Sequence, residues 1–469
     1  MNISVIGTGY VGLVSGTCLA EVGHRVTCVD LNARKVDLIN EKKAPIYEKG
    51  LDELLDRNAG HRLTATQDLR AAVLGSDLSL IAVGTPFDGD EIDLSYIEAV
   101  AHQIGTVLRE KEDYHVVVVK STVVPGTTDD VVRPILEDAS GKTAGVDFGI
   151  GMNPEFLREG EAIEDFMNPD RIVLGGLDER TRDVLGNVYA PFDGVDVLRT
   201  SNRTAEMIKY TANSLLATLI SFSNEIGNLC SVLGDIDVTE VMAGVHLDKR
   251  LSPLLPDGTR VRPGFTKYLE AGCGFGGSCF PKDVKALIAH GTQAGAPMHI
   301  LDAVVQVNQK QPHKVMELLR RRLPELHGCT VAVLGVAFKP GTDDIRESPT
   351  IPVVQALKDE GADVRIFDPV AQHEAETLFR HEHVQYAPDL ASAVTTADAV
   401  LIMTRWPAFA ALPALLDRLR ITPVVVDGRR MLDPSTITNY EGIGRSLSSP
   451  PRLATVPASS STTDANAVH

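Results

Sequence analysis

The opening residues restrict the fold more than any other stretch of the chain. In NISVIGTGYVG the apolar run Ile3 to Ile6 reads as a buried strand, and Gly7, Gly9 and Gly12 follow with GxGxxG spacing where a helix should begin. Gly7 suits the tight turn, Gly9 lets the main chain approach a pyrophosphate, and Gly12 lets the helix pack closely on the sheet. The helix N-terminus adds N–H donors and a partial positive charge. The motif alone is weak, but a second strand, Arg25 to Val29, ends at Asp30, 18 residues beyond Gly12. An acid there can bind both hydroxyls of an adenosine ribose and repels a 2′-phosphate. NAD is therefore favoured over NADP, although Arg34 and Lys35 just downstream oppose that preference.

Strand and helix signals then alternate to about residue 200, with further strands at Leu63 to Thr66, Leu78 to Val83, Val116 to Lys120, Phe148 to Met152 and Ile172 to Leu174. This alternation predicts a parallel sheet wrapped by helices. VGTP (Val83 to Pro86) and KSTVVPGTT (Lys120 to Thr128) fall at the carboxyl ends of strands, where doubly wound sheets bind ligands; ordinary turn chemistry explains them equally well. Thr204 to Leu233 reads as one helix of about 45 Å. Its apolar series, Met207, Ile208, Leu215, Leu216, Leu219, Ile220 and Phe222, is interrupted by Lys209, Asn213, Asn224 and Glu225. Lys209 and Asn213 share a face, for which a solvated stripe is the usual explanation. A surface this long suits the joining of two domains or contact with a second subunit. A second alternation starts at Thr330 with TVAVLGVAF, DVRIFDP, DAVLIMT and VVVDGRR. It lacks a full GxGxxG, so a nucleotide there would be held by side chains such as Lys339 and Arg429.

The expected architecture is α/β, with two Rossmann-like doubly wound domains joined by a long central helix. The boundaries are 1–200, 201–315 for the central helical region, 316–445, and a tail over 446–469 rich in Ser, Thr, Ala and Pro that reads as disordered. A length of 469 residues agrees with two or three domains. The formal charge of −18 argues against non-specific binding to nucleic acid or anionic membranes, and makes any cations around an anionic ligand local exceptions. The six cysteines, Cys18, Cys28, Cys230, Cys273, Cys279 and Cys329, lack metal-ligand spacing, so neither a metal site nor a disulfide framework is expected. No charged leader precedes the first strand and no apolar run would span a bilayer, which points to the cytoplasm.

GFGGSCFPKD, residues 274 to 283, carries the chemistry. Gly276 and Gly277 would let the backbone bend and a ligand approach Cys279, and Lys282 would favour its thiolate. The alternative is a buried structural cysteine in a glycine-rich turn. Together with GTGYVG, VGTP, KSTVVPGTT, NPEFLREGEAIEDFMNPDRIVLGG, AEMIKYTANSLLATLISFSNEIGNL, GVAFKPGTDDIRES and VDGRR, this order of motifs resembles the UDP-glucose/GDP-mannose dehydrogenase family over residues 1 to about 445.

The resemblance implies NAD-dependent, four-electron oxidation of UDP-glucose to UDP-glucuronate through a thiohemiacetal and a thioester, with GDP-mannose as the competing substrate. It implies that Cys279 is the nucleophile, that Lys209 and Asn213 contact the developing oxyanion, and that Thr122, Glu155, Glu159 and Asp283 organise water and protons. Read on their own, Glu155 and Glu159 form a salt-bridged pair capping the next helix. For NAD the resemblance implies Gly7, Gly9, Tyr10, Val11, Gly12, Asp30 and Lys35, then Thr85, Pro86, Thr122, Glu159, Lys282 and Arg346. For the UDP-sugar it implies Glu155, Phe156, Leu157, Arg158, Lys209 and Asn213, then Tyr268, Gly276, Phe338, Lys339 and Arg429. The family arginine that reaches the neighbouring subunit's sugar is either Arg250 or Arg262, because LDKRLSPLLPDGTRVRPGFTKYL carries extra residues here; its spacing to Gly264 and Tyr268 favours Arg262. A homodimer built on the long helix is expected.

Overall fold

A computed structural model of the chain describes residues 1–89, 91–380 and 384–445. Strands β1 (Asn2–Ile6), β2 (Arg25–Val29), β3 (Leu63–Thr66), β4 (Leu78–Ile81), β5 (His115–Val119), β6 (Phe148–Met152), β7 (Ile172–Gly176) and β8 (Val197–Thr200) form an eight-stranded sheet in the order β3-β2-β1-β4-β5-β6-β7-β8. The central strands β4 and β5 are buried along their whole length, as parallel strands covered by helices on both faces should be. Two apolar layers, one around Leu13, Leu55 and Leu80 and the other around Ile81, Ile104 and Leu136, pack on opposite faces.

The first sheet is not wholly parallel, contrary to the alternation. β7 runs antiparallel to β6, pairing Met152 with Gly175 and Gly151 with Gly176. The intervening segment forms an extended loop and a short helix, Ala162–Met167, and re-enters the sheet from the same end, so β7 must run back. That reversal holds the NPEFLREG loop at the carboxyl edge of the sheet.

The central helix spans Asn202–Leu233, 32 residues or about 48 Å, and begins at Ser201, whose hydroxyl accepts from the Thr204 amide. Met207, Leu215 and Phe222 are exposed, whereas Ile208, Leu216, Leu219 and Ile220 are half-buried. Its inner face packs on the helices Phe280–Gln293 and His299–Arg322 around Tyr210, Ala217, Val284 and Val304.

Strands β9 (Thr330–Leu334), β10 (Asp363–Phe367), β11 (Val384–Tyr386), β12 (Ala399–Ile402), β13 (Val424–Asp427) and β14 (Tyr440–Gly442) form a second sheet, all parallel, in the order β11-β10-β9-β12-β13-β14. Strands β8, β11 and β14 lie at or near sheet edges and were not foreseen. The tail from residue 446 lies outside the described residues. Among the described residues no helix is long and apolar enough to cross a membrane, and no cluster of His, Cys, Asp and Glu is arranged to hold a metal.

Candidate active site

The glycine turn of the first sheet has the shape the motif requires. Gly7 sits at φ +98° with its amide bonded to Val29 O at 2.8 Å, and a Cβ there would meet Ala82 O; one on Gly12 would overlap Gly7 O. A Cβ on Gly9 would point into open space, and Gly9 is the N-cap of the helix Tyr10–Glu21, so these residues fit a pyrophosphate at the helix start. Asp30 lies half-buried beside this turn, accepting from the Thr8 amide (2.9 Å), the Thr8 hydroxyl (2.5 Å) and the Asn32 amide (2.9 Å). Burial raises its pKa, but these donors and nearby Lys35 hold the carboxyl below its usual value, so it stays ionised at neutral pH. Val11 is half-buried in the first turn, and Asn32 caps the short helix carrying Lys35. The Tyr10 hydroxyl donates to Glu48 and accepts from the Gly160 amide at 2.9 Å, fastening the NPEFLREG loop to the first helix. At the neighbouring strand ends, the Thr85 hydroxyl donates to the Thr122 carbonyl at 2.8 Å, and Pro86 is exposed.

Cys279 is the N-cap of the helix Phe280–Gln293. Burial pushes its thiol up to about 11; Lys209 lowers it, while Glu155 and Asp283 raise it again. The resting sulfur is therefore protonated at neutral pH. Lys282 does not serve it as expected: its ammonium bonds Asp283 Oδ1 at 2.6 Å. Lys209, together with Arg346, is a cation that acts on the sulfur. It is 3% exposed and pairs at 2.8 Å with Glu155, itself 6% exposed. Burial lowers the ammonium's pKa, but Glu155, Cys279 and Asp283 outweigh it and raise it; burial raises the Glu155 carboxyl, and Lys209 outweighs that and lowers it. Asn213 donates to Asp283 Oδ2 at 2.6 Å, and Asp283 is 1% exposed. Lys209 and Asn213 thus face inward, where they have partners, and form no solvated stripe.

Glu155 and Glu159 do not pair with each other or cap a helix. The amides of Gly160 and Ala162 bond Glu48 instead, at 2.7 and 2.9 Å. Glu155 also accepts from the Leu157 amide at 2.6 Å, and Arg171 stacks on the Phe156 ring at 3.7 Å. Arg158 is exposed and bonded to Asp165 and Glu161. Glu159 accepts from Ser278 Oγ at 3.0 Å and Arg346 at 3.4 Å.

At Gly276 and Gly277 the space a side chain would need is taken by protein. A Cβ on Gly276 would overlap Glu347 O, one on Gly277 would strike the Phe338 ring, and the Gly277 amide bonds Arg346 O at 2.8 Å. The loop after β9 therefore closes directly over the residues preceding Cys279. Arg429 binds that region too, donating to Met403 O (2.7 Å) and Gly274 O (2.8 Å), with a longer bond to Phe338 O (3.4 Å). Lys339 lies half-buried against the Phe338 ring, and burial lowers its pKa. Tyr268 packs on Phe280. Arg262 is exposed and Arg250 is bound to Asp248.

Several positioning groups escaped the sequence reading. Asn224 accepts from the Gly272 amide at 2.7 Å, and Asn308 binds both polar main-chain atoms of Phe275. Ser278 links Cys279 to Glu159. The Asn224 signal was present as a polar break in an apolar helix face; the others required the fold.

A glycine-turn dinucleotide sheet, a second nucleotide-type sheet and a half-buried cysteine between them define a two-domain, dinucleotide-dependent oxidoreductase. The chain belongs to the UDP-glucose/GDP-mannose dehydrogenase family, whose NAD binding domain matches residues 1–193, central domain residues 203–310 and UDP binding domain residues 332–434. It is 44% identical over 448 residues to a UDP-glucose 6-dehydrogenase of Haloferax volcanii, covering 94% of this chain and 100% of that one. Identity to a GDP-mannose 6-dehydrogenase of Pseudomonas aeruginosa is 45% over 372 residues, covering 78% of this chain and 81% of that one. A UDP-glucose dehydrogenase structure from Pyrobaculum islandicum superposes with a TM-score of 0.85 at 40% identity, covering 94% of this chain and 97% of that one. NAD is the cofactor of this oxidoreductase.

Proposed function

We propose that the chain oxidises UDP-glucose at carbon 6 to UDP-glucuronate, releasing two NADH per sugar. The observation that supports this most is the gathering of half-buried Cys279 with the buried side chains of Lys209, Glu155, Asn213 and Asp283, drawn from three separate segments of chain. NAD, held at Gly7, Gly9, Gly12 and Asp30, supplies the hydride acceptor in each oxidation. The Cys279 sulfur adds to the carbon-6 aldehyde and retains it, so that a second hydride can leave and a thioester remains. Lys209 and Asn213 stabilise the developing oxyanion. Glu155, Glu159, Asp283 and Thr122 order the water that hydrolyses the thioester and take up its proton. The UDP-sugar spans Glu155 to Glu159, Tyr268, Gly276 and the C-terminal sheet near Phe338, Lys339 and Arg429. Arg346 and Lys282 lie on the NAD side.

This reading divides the chain into a cofactor domain over 1–200, a catalytic helical region over 201–315 and a substrate domain over 316–445, working in the cytoplasm. It also makes the enzyme a homodimer on the central helix, where Leu215 (57% exposed), Phe222 (50%) and Leu229 (53%) leave apolar surface uncovered. Arg262 is the arginine that enters the partner's site. The test is NADH formation with UDP-glucose, UDP-galactose, UDP-N-acetylglucosamine and GDP-mannose in parallel. Two NADH per UDP-glucose is expected; one NADH with free aldehyde, or preference for GDP-mannose, overturns the assignment.

A further inference from the structure

Ser278 precedes the reactive cysteine and has no place in the chemistry described so far. Its hydroxyl lies 3.6 Å from Cys279 Sγ and donates to Glu159 Oε1 at 3.0 Å. No other side chain among the described residues hydrogen-bonds the sulfur. Asp283 is bonded to Lys282 and Asn213, and Lys209 to Glu155. Glu159 in turn abuts Asp344, on the loop after β9, and its second oxygen is buried without a donor. Arg346 reaches both carboxylates, at 3.4 and 2.8 Å.

We propose that Ser278 and Glu159 are the route by which the Cys279 thiol loses its proton, with Asp344 positioning Glu159 as the acceptor. The proposal rests on Cys279 being the nucleophile. The S–H bond breaks as an O–H bond forms on Ser278, whose own proton passes to Glu159 Oε1. The sulfur electron pair then forms the C–S bond at the aldehyde carbon while the C=O π pair moves to oxygen. The proton rests on Glu159 until it leaves to solvent, and no further reactant is needed. Thiol deprotonation is otherwise opposed by burial and by Glu155 and Asp283, with Lys209 and Arg346 the opposing cations. Around Glu159 stand Asp344, Arg346, Lys339 and Tyr10. Burial and Asp344 raise the Glu159 carboxyl to about 7, where it can gain and lose a proton during turnover.

One arm of the test needs no sugar: iodoacetamide labelling of Cys279, followed by peptide mass spectrometry on the full chain at fixed pH. Ser278→Ala should label roughly tenfold more slowly, since the thiolate loses its hydroxyl donor, and Ser278→Thr should restore the rate. In turnover, Ser278→Ala should lower kcat roughly 100-fold with little change in KM. Asp344→Asn should move the acid limb of the kcat profile to lower pH, because Glu159 then ionises more readily. Wild-type labelling in Ser278→Ala, or an unmoved acid limb in Asp344→Asn, overturns the relay. If UDP-glucose is not the substrate, the labelling arm still decides the relay by itself.

Discussion

The two sheets begin with the same turn and use it differently. Gly7 and Gly335 sit at φ +98° and +95°, and their amides bond Val29 O and Phe367 O, each at 2.8 Å. In each sheet the second strand ends in an acid that accepts from the amide after the glycine: Asp30 from Thr8 at 2.9 Å, Asp368 from Val336 at 2.7 Å. There the likeness stops. Asp30 remains half-exposed, whereas Asp368 is 2% exposed and also accepts from the amides of Ala337, Val370 and Ala371 and from the Trp406 indole. Tyr10 starts a helix at once; after Gly335 the next helix waits until Thr350, and the intervening loop lies on Gly276 and Gly277. One turn keeps an acid and a helix start for a dinucleotide. The other has turned its acid inward and used its loop to cover Gly276 and Gly277, just before Cys279.

The largest effect should come from the covered site. Cys279→Ser keeps the packing but replaces the proposed nucleophile with an alcohol that stays protonated, so turnover should fall on the order of 10³-fold or more, the scale expected when one member of a concerted group is lost. NAD binding, followed by fluorescence titration, should be unchanged. Near-normal NADH formation would return Cys279 to a structural role.

Next in size is displacement of the cover itself. Gly276→Ala sets a Cβ against the Glu347 carbonyl, so the loop after β9 must shift away. A misplacement of about 1 Å should cost on the order of 100-fold in kcat. Unchanged kcat with unchanged thermal stability would show that this contact does not matter.

The acid comparison predicts a crossed pair of outcomes. Asp30→Ala should weaken NAD binding roughly tenfold and narrow the preference over NADP, with little change in Tm. Asp368→Ala should do the reverse, lowering Tm because buried amides lose their acceptor at roughly 1–3 kcal/mol each. Equal effects of both variants on NAD affinity would break the distinction between the two turns.

Much of this frame was legible in the sequence because it rests on local pattern. β2, β3, β6 and the helix ending at Leu233 follow from short strand signals alternating with helical segments and from an unbroken stretch without Pro. VQY and YEG are too short and too polar to stand out, so β11 and β14 needed neighbours to define them. The antiparallel β7 was hidden for a related reason, since direction is fixed by where a connection re-enters the sheet. Within the site, Cys279 and Lys209 could be listed but their relation could not. Lys209 is inward because Glu155 meets it from another segment, and Lys282 is unavailable because Asp283, its neighbour in sequence, already holds it. Gly277 misled for the same reason: the pattern signals a close approach, and only the fold shows that the approaching group is Phe338.

The smallest effect concerns how the central helix is fastened to each sheet. Toward the first, Glu206 is buried and accepts from the Gly126 amide (2.6 Å), the Thr128 amide (2.8 Å) and the Thr128 hydroxyl (2.6 Å). Toward the second, Asp237, just beyond the helix, pairs with Arg430 at 2.7 Å. Burial raises the Glu206 carboxyl to about 7, above its ordinary value of 4.5. The folded chain then holds a proton between those pH values that the unfolded chain has lost, and this contribution to stability, full at low pH, fades as pH rises toward 7. Asp237 has the opposite sign: burial raises its pKa but Arg430 and the Thr239 amide outweigh that and lower it, so its contribution is present above the ordinary aspartate range and is lost on acidification. Thermal melts of wild type, Glu206→Gln and Asp237→Asn between about pH 3 and 8 should separate the two. The difference between wild type and Glu206→Gln should change mainly between pH 4.5 and 7, and that for Asp237→Asn mainly below the ordinary aspartate range. Parallel curves for all three would mean that neither fastening titrates, and that the two ends of the helix are held alike.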